Sequence, residues 1–232
     1  MIKLSRLLFL FTVLIAPQAF AQAQDIEPAF VPEDFEFSYS PEYCDFTAAF
    51  PEQPMETHHC ETPDDPSTCF NLLTYTHTFG LSSSVRIELV CNPVTPEMYD
   101  HFTAENMQAT VRAMTKDSVV EELNVTNRDT DHFRQTTLVA SGRQGLDETI
   151  YIAQLWIAEN SIMSVEAEMM GEQTTEADHL FANILRNIGH LIDIKGEEYA
   201  EKKISAWEAK KDTALQDIQK QQQKDAENAP KN

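Results

Sequence analysis

The sequence predicts an α+β domain: a mainly antiparallel sheet flanked by two helices, stapled by two disulfides and followed by a C-terminal helical extension. Three observations predict it. Strand-like segments come in two groups, two other segments repeat apolar residues at spacings of three and four, and the cysteines form an even set at positions 44, 60, 69 and 91.

Residues 22–34 carry Pro28 and Pro32 without periodicity and read as an irregular lead-in. Strands are expected at 35–39 and 44–50, the second closed by Pro51, and at 55–60 and 70–79. Residues 85–91 alternate Val85, Ile87 and Leu89 against Arg86 and Glu88, as a half-buried strand does. Thr95 followed by Pro96 is a helix start, and Met98, Tyr99, Phe102, Met107, Val111 and Met114 predict one helix to about Thr115. Four further strands are expected at 119–126, 132–140, 149–158 and 161–169. Glu159-Asn160 is a two-residue hairpin loop, so it fixes a register. Ile150, Ile152, Gln154 and Trp156 then oppose Met169, Ala167, Val165 and Met163 on a core face. The other face pairs Tyr151 with Glu168, Ala153 with Glu166, Leu155 with Ser164 and Ile157 with Ile162, half apolar and half acidic. A second helix should start at Thr175 with a capping-box-like Thr-Glu-Ala-Asp, bury Ala177, Leu180, Phe181, Ile184, Leu185 and Ile188, and stop at Gly189 as the C′ glycine.

Residues 1–21 have the layout of an export signal. Lys3 and Arg6 precede an apolar run from Leu7 to Ala16, and Ala19-Phe20-Ala21 forms a small-x-small cleavage site. That run is about half the roughly 20 residues that span a bilayer, so a cleaved leader is expected, with the mature chain periplasmic or secreted and free of a membrane span. The domain is then 35–195 and the tail 196–232. The tail turns to Glu, Lys, Gln and Ala, a coiled-coil-type composition, with a thin stripe of Ile204, Trp207, Leu215 and Ile218. Residues 197–220 read as helix and the remainder as disordered.

The 232 residues carry 38 acidic against 17 basic side chains, a net charge of −21. Phosphate backbones and anionic lipids need clustered Lys and Arg, so nucleic-acid binding is excluded. Almost all of the imbalance lies in 22–195, which would attract a basic surface or divalent cations.

The cysteines are separated by 15, 8 and 21 residues, spacings that fit disulfides and not the close pairs of a zinc site. Three connectivities are open. Cys60–Cys69 would clip the hairpin around the turn-rich 61–68 segment, leaving Cys44–Cys91. In that register His58 falls opposite Asn71 and His77 opposite Glu52, so these histidines are expected to be isolated. Asn127-x-Asp129-x-Asp131 begins like a calcium loop but has His132 and Leu138 at defining positions, so a hairpin turn is expected. Glu166 and Glu168 share a strand face, where solvated acids are ordinary. No phosphate loop, dinucleotide fingerprint, zincin helix or nucleophile elbow is present, and no cofactor is implied.

The order of elements, with a helix after "CNPVTPEMYDHF", four strands, and a closing helix "ADHLFANILRNIG", resembles the PsbP-like α/β/α sandwich over about residues 35–188. Its "ILRNI" ending is similar to that fold's "IL-x-S-F", with Asn187 and Ile188 in place of Ser and Phe. The resemblance implies a binding or assembly factor and brings no catalytic residue. The leading expectation is a non-catalytic envelope module whose Trp207 stripe docks on an envelope protein or on its own Tyr151, Leu155 and Ile157 face. A carboxylate- and histidine-based hydrolase or lyase, and a divalent-cation binder, are the alternatives.

Overall fold

The computed structural model describes residues 35–60, 62, 65, 68–115, 119–144 and 147–227. The expected signal and lead-in lie outside them. In chain order the elements are β1 (Phe37–Tyr39), β2 (Phe46–Phe50), β3 (Met55–Cys60), β4 (Cys69–Phe79), β5 (Ser83–Pro93), α1 (Pro96–His101) and α2 (Ala104–Ala113). They continue with β6 (Val119–Asp129), β7 (Phe133–Gln144), β8 (Asp147–Ala158), β9 (Ser161–Gly171), α3 (Thr175–Arg186), β10 (Gly189–His190), α4 (Leu191–Lys195) and α5 (Glu197–Glu227).

Seven strands form one antiparallel sheet in the order β3-β4-β5-β9-β8-β7-β6. Two meanders, β3 to β5 and β6 to β9, meet where β5 pairs with β9 from Ser83↔Gly171 to Pro93↔Ser161. The β8–β9 register is the one the two-residue loop dictates, Ile150↔Met169 and Tyr151↔Glu168 included. Of the two edge strands, β6 is interrupted by register shifts at Val119/Glu121 and Glu122/Asn124, which blunts it as a pairing template. A smaller sheet, β1-β2-β10, lies apart.

Alternation along the strands builds two cores, one on each face of the large sheet. On one face Phe46, Ala48 and Phe50 of β2 and Ala177, Phe181 and Ile184 of α3 pack with Val85, Ile87, Leu89, Trp156, Met163, Val165 and Ala167. On the other, Met107 and Val111 of α2 cover Leu138, Ala140, Tyr151, Ala153, Leu155 and Ile157. Each large apolar side chain buried this way contributes about 1.5–3 kcal/mol, so both faces of β8 are committed to the core.

Three local expectations need correction. The helix after Thr95 is two helices, because Phe102 leaves helical geometry at ψ 71° and the Thr103 hydroxyl caps a new start by accepting from Asn106 N. Arg134 of β7 holds the break, its Nη1 donating to the carbonyls of Tyr99 (3.2 Å) and Phe102 (3.3 Å). The cap of α3 is Thr174, whose hydroxyl accepts from Ala177 N, one residue before the expected start. Gly189 is not a left-handed C′ residue: α3 ends at Arg186, and Gly189 pairs with Thr47 in β10. Gly171, at φ +90°, does need to be glycine, since a Cβ there would collide with the Ser82 carbonyl that Glu172 N bonds.

The disulfides are Cys44–Cys91 and Cys60–Cys69, spanning 47 and 9 residues of sequence. Loop-closure entropy makes the longer link stabilise by about 4 kcal/mol and the shorter by about 2.5 kcal/mol. Urea unfolding of Cys44→Ala/Cys91→Ala and Cys60→Ala/Cys69→Ala double variants is expected to show losses in that order. Equal losses would mean that the denatured chain does not sense loop length here.

Candidate functional site

Residues that follow Cys44 gather distant parts of the chain. Asp45 is 3% exposed at the head of β2. Its carboxylate Oδ2 accepts from Asn160 N and from Ser161 Oγ, both at 3.0 Å, and Asn160 Nδ2 donates to Oδ1 at 3.5 Å. Ser161 Oγ also accepts from Asp45 N (2.8 Å), and Asp45 O accepts from Leu191 N (2.9 Å). Burial raises the carboxyl above its ordinary range, opposed by the hydrogen bonds from Asn160 and Ser161 and the charge of Lys203. The β8–β9 turn, the start of α4 and the head of β2 are thereby locked together.

A cavity of about 390 Å³ opens beside this junction, lined by Asp45, Tyr99, Asp100, Asp131, His132, Ala158, Glu159, Asn160, His190, Ile192 and Ile204. His190 forms part of its wall and is 3% exposed. The ring is packed edge-on by Phe46 and stacked with Phe133 (5.3 Å) and His132 (6.0 Å). His190 is also the N-cap of α4, its Nδ1 accepting from Ile192 N at 3.3 Å. That bond fixes the neutral tautomer with the proton on Nε2. Burial pushes the imidazole pKa down to about 4, with nearby Asp193 raising it and His132 lowering it.

Helix α5 closes the site from outside. Gly196 turns the chain at φ +89°, and Ala200, Lys203, Ile204 and Trp207 then form the inward face at helical spacing. Lys203 Nζ donates to Ser40 Oγ (2.6 Å) and to the Cys44 carbonyl (3.0 Å). Burial lowers that ammonium to about 8, against the pull of Asp45 and Glu42. Trp207 meets Tyr43 edge-to-face at 6.0 Å, worth about 1 kcal/mol beyond area burial. Lys210–Glu42, at 2.6 Å but exposed, adds little.

Of the residues expected to interact, Ile204 and Trp207 are here, Ile204 on the cavity wall and Trp207 against Tyr43 of the domain's own β1–β2 loop. Tyr151, Leu155 and Ile157 lie under α2 and offer no surface for the tail. The Tyr151 hydroxyl donates toward Met114 O (2.9 Å) and Glu166 Oε2 (3.1 Å). The side chains of Leu215 and Ile218 lie outside the described residues. Glu166 and Glu168 sit in mid-β9, while the Asp45 junction is at its Ser161 end, so the paired acids and the stacked histidines are not brought together. His58 bonds Asn71 (2.9 Å), and His77 stands 3.9 Å from Glu52, both as the hairpin register requires. His58, Cys60 and Cys69 converge closely enough for a metal, yet both sulfurs are already joined to each other. Asn127 accepts from Thr136 Oγ1 in the β6–β7 hairpin, as the turn reading expects.

Asp45, Asn160, Ser161, His190 and Lys203 were not singled out from sequence. One signal for Lys203 was there: a lysine inside the apolar stripe of an otherwise solvated helix has an acceptor beneath it. No family model matches the chain, and no curated protein matches it.

A histidine pKa depressed from 6.5 to about 4 adds stability that is present above pH 6.5 and lost as pH falls through 4. Urea unfolding at pH 7.5 and pH 4 should therefore show the wild type losing on the order of 3 kcal/mol more than His190→Gln. Parallel losses in the two proteins would place the acid sensitivity elsewhere.

Proposed function

We propose that this is an exported, non-catalytic binding or assembly module whose α5 is an arm held rigidly at its base and presented to an envelope protein. The observation that carries the reading is the asymmetry of α5. Its first half is fixed by Lys203, Trp207 and Lys210. From Lys211 to Glu227 the helix runs on for about 25 Å at 1.5 Å per residue. A helix built only to cap its own domain has no use for that length.

Export is supported by the leader-like residues 1–21 and is compatible with the two disulfides. Among the described residues, no helix is long and apolar enough to cross a membrane. The PsbP-like order of elements adds support for an assembly role at the level of architecture. Hydrolysis has less in its favour, because the Ser161 hydroxyl donates to the buried Asp45 carboxylate, which Asn160 N also holds, and not to an imidazole of the kind that activates a serine nucleophile. A divalent-cation site has the acidic charge in its favour, but the cavity's ligand atoms do not converge in a group of three among the described residues.

In-cell crosslinking of the intact protein, of a chain lacking residues 211–232 and of one lacking 196–232 tests the arm. A specific partner captured by the intact chain and lost from both truncations is expected, with the melting temperature of the 211–232 deletion within about 2 °C of wild type. A partner retained by the 211–232 deletion would remove the arm from the interaction.

A further inference from the structure

We propose that reduction of Cys60–Cys69 turns the end of the β3–β4 hairpin into a binding site for a thiophilic metal ion, Zn²⁺ or one of similar softness, held by His58, Cys60 and Cys69. The assignment does not depend on α5 having a partner. Two observations carry it: three donors converge, and the imidazole among them is held from behind.

Period two places His58 and Cys60 on the same face of β3, and the hairpin register sets Cys69 opposite Cys60 and Asn71 opposite His58, so all four share one face. His58 Nε2 lies 3.6 Å from Cys60 Sγ, and the ligand atoms of His58, Cys60 and Cys69 all fall within 4.8 Å of one another. His59 belongs to the other face, its ring edge-on to Phe70 at 5.2 Å. The far side of the His58 ring fixes its tautomer. Nδ1 stands 2.9 Å from Asn71 Oδ1, and an amide oxygen only accepts, so Nδ1 carries the proton and Nε2 turns its lone pair toward the sulfurs. A ring anchored on a carbonyl oxygen through one nitrogen, with the other aimed at the ion, is the arrangement of metal-binding histidines. Two thiolates and an imidazole are the soft donor set that zinc takes, whereas Ca²⁺ and Mg²⁺ require oxygen ligands.

The bridge that occupies both sulfurs is the more accessible of the two disulfides. Cys44 and Cys91 are 2% and 0% exposed in the core, whereas Cys60 and Cys69 are only half-buried beside the hairpin loop. Exposed bridges are the ones that exchange. Cys60–Cys69 also spans 9 residues against 47, so opening it releases less chain. The ladder from Met55↔Thr74 to His59↔Phe70 keeps the two cysteines opposite each other afterwards. A dithiol reductant supplies the electrons. Its thiolate attacks one sulfur, the Cys60–Cys69 bond breaks, and the reductant's second thiol resolves the mixed disulfide, which leaves two protein thiols and an oxidised reductant. Zn²⁺ then takes the place of the two thiol protons, which pass to solvent.

The test uses the intact protein, treated with dithiothreitol and desalted without oxygen. Alkylation followed by peptide mapping is expected to find Cys60 and Cys69 modified and Cys44–Cys91 intact. Native mass spectrometry should show one Zn²⁺ per reduced chain, retained in excess Ca²⁺, and none on the oxidised chain. Bound zinc should shield both thiols from alkylation, a readout that needs no variant to fold. His58→Gln should weaken zinc binding at least tenfold and Asn71→Ala about tenfold, with His59→Gln unchanged. Opening of Cys44–Cys91 before Cys60–Cys69, no zinc on the reduced chain, equal zinc on the oxidised chain, or His58→Gln binding as tightly as wild type would each overturn the proposal.

Discussion

Asp45 is a carboxylate buried where four stretches of chain meet, and burying an ionised group without partners costs several kcal/mol. Its position is tolerable only because the β8–β9 turn supplies Asn160 N and Ser161 Oγ, and Lys203 brings a positive charge from α5. The neighbouring Cys44 is tied to β5 by its disulfide and gives its carbonyl to Lys203. Remove the carboxylate and each of these partners keeps an unsatisfied donor or charge. The small sheet, the turn and the base of α5 are in this sense conditions for one another, and the cavity opens beside the point where they meet.

The large sheet is the frame on which this junction is built. β8 is buried on both faces, β2 and α3 closing one and α2 the other, while β5 and β9 alternate between buried and half-buried residues. Arg134 shows how the two sides are connected. It leaves β7, stacks its guanidinium over Tyr99 (4.4 Å) and donates to the Tyr99 and Phe102 carbonyls at the end of α1, so the wall that Tyr99 gives the cavity is fixed to the sheet.

What could be read from the sequence was whatever depends on short-range spacing. The strands, the Glu159-Asn160 hairpin and its register, the pairing of His58 with Asn71, and both disulfides follow from period two, loop length and cysteine positions. Element ends were less certain, because they are decided by single side chains: the Thr103 hydroxyl splits a helix that apolar periodicity had read as continuous, and β10 takes up Gly189. α5 also runs past 220 to Glu227, since a charged Gln- and Lys-rich stretch is a good helix former even after its apolar stripe fades. The Asp45 junction was invisible for a different reason. Asp45 meets residues 115 and 116 positions away, and no local pattern distinguishes a buried aspartate at a strand head from a solvated one before the fold is known. The half-apolar Tyr151 face was seen to need a cover, but the sequence did not say that α2 would provide it in place of the tail.

The pairing of β5 with β9 also bears on the order of events during synthesis. β5 waits for β9 as its second neighbour, with α1, α2 and three strands of chain still to be made between them, so one edge of the first meander stays open until about residue 171 has emerged. Long-range pairing of this kind closes slowly, and an open apolar edge invites pairing with other chains in the meantime. Cys60–Cys69 and Cys44–Cys91 both lie within the first meander and its flank, so oxidation can restrain that half before its partner strand exists. Formed at that stage, Cys60–Cys69 would hold β3 and β4 in register while the rest of the sheet is delivered.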